Sequence, residues 1–310
     1  MTSKDITTTI DKIITDYNYA SILSEDQIIE IAEAYVNSVK EQSNLKKLNL
    51  GSMLVVGDIH GDSALLNLIV DLFLKKKIAD HLVFLGDIVD RGTHSIACIN
   101  LLLALLVKYP KEIHIVRGNH ETLSVNSRYG FLGEVILYSG LEEYYRINSF
   151  TQENLPKIYK AYNNAFSYMP LALVHEKLRF FFVHGGIPKD SITLKEIAKL
   201  PRGDIMVVDP IIMQLLWNDP SEGTTHFDSS MRGEGIYYFG NQLLDEFLSI
   251  NNLKMIIRAH EVFTEGFSYQ FNKKLLSLFT SEEYYTSVQA KVALIDNNGE
   301  IEIKSPKNFE

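Results

Sequence analysis

Met53 to Gly92 reads MLVVGDIHGDSALLNLIVDLFLKKKIADHLVFLGDIVDRG, and its alternation decides the fold. Met53–Val56 is a short apolar run that predicts a buried strand, and it ends in Gly57-Asp58-Ile59-His60-Gly61. Ser63–Lys77 follows with Leu65, Leu66, Ile69, Leu72 and Phe73 at helical spacing. Leu82–Leu85 predicts a second strand, running into Gly86-Asp87-Ile88-Val89-Asp90-Arg91-Gly92. Downstream, Ser95–Lys108 predicts a second helix. Ile113–Val116 predicts a third strand, which ends in Arg117-Gly118-Asn119-His120-Glu121. Strand, helix, strand, helix, strand at this spacing is a βαβαβ unit with parallel strands.

Further along, Gly130–Ser167 reads as mostly helical. Phe180–Val183, Met255–Ile257, Leu275–Phe279, Lys291–Ile295 and Ile301–Lys304 read as later strands of an antiparallel or mixed sheet. Upstream, residues 1–48 are polar and lack Gly and Pro. Ser24 and Gln27 have capping-box spacing. Ile28, Ile31, Ala32, Tyr35, Val36 and Val39 form one helical stripe behind them. This predicts an N-terminal helical extension (1–48) packing on a single main domain (49–310), with Leu45–Leu50 as the connection.

Composition narrows the class. The chain has 310 residues, 46% hydrophobic and 22% charged, which fits a globular protein with a large core. Thirty Lys+Arg against 39 Asp+Glu leave a net charge of −9, so no nucleic-acid partner is expected. The longest apolar segment, Ile96–Val107, is too short for a membrane helix and reads as core; no membrane partner is expected. The single cysteine, Cys98, cannot form an internal disulfide, and no signal peptide is evident; the expected location is cytoplasmic.

Ligands in open α/β sheets gather at the carboxyl ends of strands. Two later strands also end in polar clusters, His184-Gly185-Gly186 and Arg258-Ala259-His260. Together the strand ends supply Asp58, His60, Asp87, Asn119, His184 and His260. Carboxylate, amide and imidazole suit a first-row divalent cation better than calcium or a thiolate-bound zinc. The set is about right for two ions sharing one carboxylate, an arrangement suited to phosphoryl transfer.

GDIHG, GDIVDRG, GNHE, HGG and RAH, in this order, resemble the metallo-dependent phosphoprotein phosphatases, the serine/threonine phosphatases of type 1, type 2A and calcineurin. Tyr129-Gly130-Phe131, Leu215–Pro220 (LLWNDP) and Arg232-Gly233 extend the resemblance, which runs from about Gly51 to Ile295. It implies a calcineurin-like metallophosphoesterase α/β fold, a two-sheet β-sandwich flanked by helices in α/β/β/α layers. It implies that Asp58, His60 and Asp87 hold one metal and that Asp87, Asn119, His184 and His260 hold the other. Arg91 and Arg232 would grip phosphate, and His120, held by Asp90, would protonate the leaving oxygen. A water activated by two divalent ions (Mn, with Fe or Zn as alternatives) would attack phosphorus in phosphoprotein substrates. The acidic surface and the extension leave room for a regulatory subunit.

The chain also departs from that pattern. Thr280-Ser281-Glu282-Glu283-Tyr284 replaces SAPNY; Tyr284 would keep the tyrosine of the substrate groove, and the two acids would alter that groove. Thr122 and Tyr285 stand where relatives have cysteine, Ser230-Met231 replaces an Asn-Asp pair, and Ile187-Pro188 follows HGG. The remaining His81, His94, His114, His175 and His226 read as core or surface. Asp62, Asp80 and Asp204 read as caps or solvated charges, Glu121 as a group that orients its neighbours, Arg117 and Arg258 as structural, and Trp217 as core or groove wall. The alternatives are a dinucleoside polyphosphate hydrolase, against which Asp90 and Glu121 weigh, a metallo-nuclease, and an inactive binding scaffold. A cysteine phosphatase is excluded, because the sixth residue after Cys98 is Ala104 and not arginine.

Overall fold

The computed structural model describes residues 3–148, 151, 153–283 and 287–309. Helices α1 (Ser3–Thr15) and α2 (Glu25–Val39) open the chain. The Ser24 hydroxyl accepts the Gln27 N–H and the Gln27 side chain accepts the Ser24 N–H, so the capping box forms. Ile28, Ile31, Ala32, Tyr35 and Val39 are buried on the inner face of α2.

The next residues correct the sequence reading. Leu45–Leu48, expected as a connection, is strand β1, paired in parallel with residues 172–175. Only Leu45 and Leu48 are buried, and Lys46 and Lys47 between them conceal the strand. Lysine is a common guard of sheet edges, where an open ladder would invite foreign strands.

The βαβαβ unit forms as expected from β2 (Met53–Val56), α3 (Ser63–Leu74), β3 (His81–Phe84), α4 (Ser95–Lys108) and β4 (Ile113–Ile115), with all three strands parallel. Helices α5 (Leu123–Asn126), α6 (Phe131–Tyr138), α7 (Glu142–Ile147) and α8 (Lys157–Ser167) fill the middle. Strands β5 (Ala172–His175) and β6 (Phe180–Val183) follow, then α9 (Leu194–Ile197) and α10 (Pro210–Trp217). A small sheet holds β7 (Asp219–Pro220), β8 (Phe227–Ser229) and β9 (Tyr237–Phe239). The chain ends with α11 (Asn241–Ile250), β10 (Met255–Arg258), β11 (Phe267–Gln270), β12 (Leu275–Leu278), β13 (Val292–Ile295) and β14 (Ile301–Lys304). The strands β5, β7, β8, β9 and β11 have no counterpart among those expected above.

One sheet has the order β14-β13-β2-β3-β4 and the other β1-β5-β6-β10-β12-β11. Both are mixed, and burial alternates between their faces. In β2, Met53 and Val55 join Leu173, Phe182, Ile257 and Leu276 between the sheets. Leu54 and Val56 face the other way, into the core built with α2, α3, α4 and α8. Phe181, Val183 and Ile256 pack outward against α10 and α11. The layers are therefore α/β/β/α, and each central strand is apolar on both faces.

The N-terminal helices belong to the same core as α4. Asn100, the polar interruption in that helix, is buried and bonded at both its amide nitrogen and its oxygen. Its Nδ2 donates to the Ala20 carbonyl at 2.8 Å, and its Oδ1 accepts the Tyr162 hydroxyl at 2.7 Å. Asn100→Ala leaves a buried carbonyl and a buried hydroxyl without partners, at a cost of about 2 kcal/mol or more. Urea unfolding should show a lower midpoint at unchanged slope; an unchanged midpoint would contradict this account.

Candidate active site

Each donor sits just past a strand, where the chain turns sharply. His60, Asp87, Asp90, Arg91 and His260 have φ of 47°, 52°, 71°, 67° and 72°. Non-glycine residues rarely adopt such backbone, and it persists only where surrounding bonds enforce it. At Asp87 the Glu121 carboxylate provides that enforcement: it is fully buried and accepts the N–H groups of Asp87 (2.8 Å), Ile88 (2.9 Å) and Gly118 (3.0 Å). It thereby clamps the loop after β3 to the loop after β4. Gly118 is required there, because a Cβ would lie 2.2 Å from Asp87 Oδ1.

Second hydrogen bonds aim the imidazoles. His60 Nδ1–H donates to the Val89 carbonyl at 3.0 Å, so its Nε2 lone pair points inward, 3.8 Å from both Asp58 Oδ2 and Asp87 Oδ2. His184 Nδ1–H donates to the Leu85 carbonyl at 2.8 Å, which leaves Nε2 3.3 Å from Asp87 Oδ1 and 2.8 Å from Asn119 Oδ1. His260 Nδ1 lies 3.2 Å from His184 Nε2. Asp58 Oδ1 accepts the His260 N–H at 3.1 Å, joining the two sheets across the site.

The donor set can be tested against a cation on its own chemistry. Every atom around the Asn119 amide end is an acceptor: Asp87 Oδ1 and Oδ2, His184 Nε2 and His260 Nδ1. The amide nitrogen, turned inward, satisfies some of these lone pairs, whereas a cation satisfies all of them and the Asn119 oxygen too. Asp87, His184 and His260 form one group with ligand atoms close enough to share an ion; His60, Asp87 and His120 form another, with Asp87 common to both. The residues fit two divalent cations.

Electrostatics divides the four histidines into two pairs. Burial and the nearby His120 push His60 down to about 3, and burial with His184 holds His260 well below the usual imidazole range. Both keep free lone pairs, as ligands must. Burial also lowers His120 and His184, but Asp87 outweighs it in both, joined by Asp90 at His120, and both are raised; the bond to Asp90, not the shift, distinguishes His120 as the donor. Burial and the charge of Asp87 raise Asp58 to about 7. Burial favours protonation of Asp87 as well, but the charges of His184 and His120 prevail and hold it well below the carboxylate range.

His120 Nδ1–H donates to Asp90 Oδ2 at 2.7 Å, and Asp90 Oδ1 accepts the Phe131 N–H at 2.9 Å. The Nε2 of His120 faces a cavity of about 290 Å³ lined also by Asp58, His60, Asp87, Asn119 and His260. Arg91 and Arg232 line the same cavity, with Tyr129, Trp217, Val125 and Phe279 in its walls. The Arg91 guanidinium lies 5.2 Å from the centre of the Tyr129 ring.

Sequence reading missed Asp219. It is buried, holds Nε of Arg232, and accepts Nη2 of Arg258 at 2.8 Å. Its motif was visible, but its partners lie on other elements. Glu261 was missed as well: it lines the cavity and accepts Arg258 Nη1 at 2.7 Å. Arg258 is spent on these acids and on the Gly185 carbonyl, while Arg117 donates to the carbonyls of Glu121 and Asp204 and keeps its Nη2 buried without a partner; neither lines the cavity. Glu282 and Glu283 do not line the cavity. Glu282 pairs with Lys307 and Glu283 accepts the Thr93 hydroxyl. Tyr284 and Tyr285 lie outside the described residues.

Residues 51–263 match the calcineurin-like phosphoesterase family, a span that includes every donor named above. The chain belongs to that family. Among its relatives, a protein phosphatase 2A catalytic subunit of Dictyostelium discoideum is 28% identical over 94% of this chain and 88% of the relative. The serine/threonine-protein phosphatase PP2A-like PPG1 of Candida albicans is 30% identical over 91% of this chain and 64% of the relative. A solved serine/threonine phosphatase from Saccharomyces cerevisiae, described as similar to human phosphatase PP5, superposes with a TM-score of 0.76. It is 25% identical, and the match covers 91% of this chain and 90% of that one. A calcineurin-like phosphoesterase is a metal-dependent enzyme, and the lone-pair-lined centre fits that description. Among the described residues no helix is long and apolar enough to cross a membrane.

Proposed function

We propose that this calcineurin-like phosphoesterase is a serine/threonine protein phosphatase. One observation carries the reading: the buried Asp90–His120 pair aims Nε2–H into a cavity where two arginines and a two-cation donor set converge. Asp58, His60 and Asp87 would hold one ion, and Asp87, Asn119, His184 and His260 the other. Two bound divalent cations supply Lewis acidity, polarising the phosphate and acidifying water.

The chain's own residues do the rest. Arg91 and Arg232 grip the non-bridging phosphate oxygens, and Asp219 fixes the azimuth of Arg232. His120 passes its Nε2 proton to the departing seryl or threonyl oxygen, while Asp90 retains Nδ1–H and stabilises the imidazolium. Half-exposed Tyr129 leaves the mouth open to a side chain presented on a peptide. We further propose Mn as the effective ion in vitro, on the mixed oxygen and nitrogen donors, and a reducing, cytoplasmic setting, on the buried free thiol of Cys98.

The test pairs a phosphoserine or phosphothreonine peptide with diadenosine tetraphosphate, each with Mn added and with a chelator. The expected result is metal-dependent release of phosphate from the peptide. Preferential cleavage of the dinucleotide would make the enzyme a polyphosphate hydrolase. Inertness toward all phosphate esters in a metal-loaded preparation would leave a scaffold.

A further inference from the structure

Large apolar side chains crowd one face that shares no residue with the cavity described above. Ile22, Leu137, Tyr144 and Ile147 are 70%, 66%, 44% and 75% exposed. Ile22 and Leu137 adjoin the bond from the Tyr138 hydroxyl to the Leu23 carbonyl, and Tyr144 and Ile147 lie about one turn apart on α7. Helix α7 has no buried residue at all. Between it and α2 lies a hollow of about 350 Å³, walled by Tyr144, Leu141, Leu155 and Glu25. Exposed apolar patches of this kind mark contact sites.

Charge selects the occupant. Asp26, Glu142, Glu143 and Glu153 are exposed around the face, and Glu25 is partly exposed. Glu143 pairs with Arg146, and the Nζ of Lys160 donates to the Glu153 backbone carbonyl. Carboxylates outnumber Arg146, Lys157 and Lys160, the cations among these residues. Such a rim repels nucleic acid and anionic lipid. It also opposes a symmetric contact with a second copy, because the same carboxylates would face each other.

We propose that this face docks a basic amphipathic segment of another protein, its apolar residues on Leu137, Tyr144 and Ile147 and its lysines or arginines on the acidic rim. The proposal is independent of the reaction assigned above. The probe is a labelled Leu/Lys peptide of about 15 residues with helical spacing, compared with a Leu/Glu peptide of the same pattern. On the full chain the Leu/Lys peptide should bind and the Leu/Glu peptide should not, and amide-exchange protection should appear in α6 and α7. Leu137→Glu with Ile147→Glu, and separately Glu142→Lys with Glu143→Lys, should each weaken binding at least about tenfold. Turnover of p-nitrophenyl phosphate should be unchanged in both variants. Equal binding of the two peptides, or unaltered binding by either variant, would overturn the proposal. So would a dimer of the unmodified chain that Leu137→Glu with Ile147→Glu dissolves, since a second copy would then be the occupant.

Discussion

His120→Asn is expected to lower turnover of a phosphoserine peptide at least about 10²-fold while metal content stays the same. Asparagine can still donate to Asp90 but has no acidic proton for the departing alkoxide. The loss should be much smaller with p-nitrophenyl phosphate, whose leaving oxygen is already stable as an anion. Elemental analysis is the essential second readout, because His120 lies close enough to His60 and Asp87 to share an ion with them. Loss of metal in this variant would make His120 a ligand, and an equal loss on both substrates would remove its role as proton donor.

The pH profile checks the same assignment. The raised His120 pKa means that the donating form persists above the usual imidazole range and is lost as pH rises through the raised value. Asp90→Asn removes one of the two charges that raise it. The alkaline limb of the rate profile should therefore move to lower pH, with turnover reduced at neutral pH. A limb that stays in place would assign it to another group.

Asp87→Ala is expected to abolish activity and to empty both metal positions at once. Asp87 belongs to both donor groups, and its Oδ1 also accepts the His120 N–H at 3.0 Å. Cations polarising a phosphoryl oxygen are worth several kcal/mol, and a loss of about 4 kcal/mol is about 10³-fold in rate. Elemental analysis should find neither ion in Asp87→Ala, whereas Asn119→Ala should retain the ion held by Asp58, His60 and Asp87. Retention of one full equivalent in Asp87→Ala would show that the two positions do not share this carboxylate.

Much of the site is legible in the chain because its donors obey a local rule. Asp58, Asp87, Asn119, His184 and His260 each lie a few residues beyond a strand, and strand ends are readable from apolar runs. Edge strand β1 is not readable, because Lys46 and Lys47 break its apolar run at the point where the edge needs them. The acids at 282 and 283 are legible in position but not in partner. Their position in the motif is right, but their side chains turn to Lys307 and Thr93.

The parallel βαβαβ unit and the candidate metal donors can be read from the chain's own pattern, since each depends on periodicity and on turns a few residues long, whereas the α/β/β/α layering came only with the family resemblance. Three contacts needed the packed fold: Asp219 holds Arg232 and Arg258, Glu121 clamps the loops after β3 and β4, and Asp58 accepts from His260 across the two sheets. They tie together loops and strand ends of different elements. The motif marks Glu121 as an orienting group, but no local pattern names the partners in these contacts, which exist only once the two sheets have packed and the buried polar groups must find partners with water excluded.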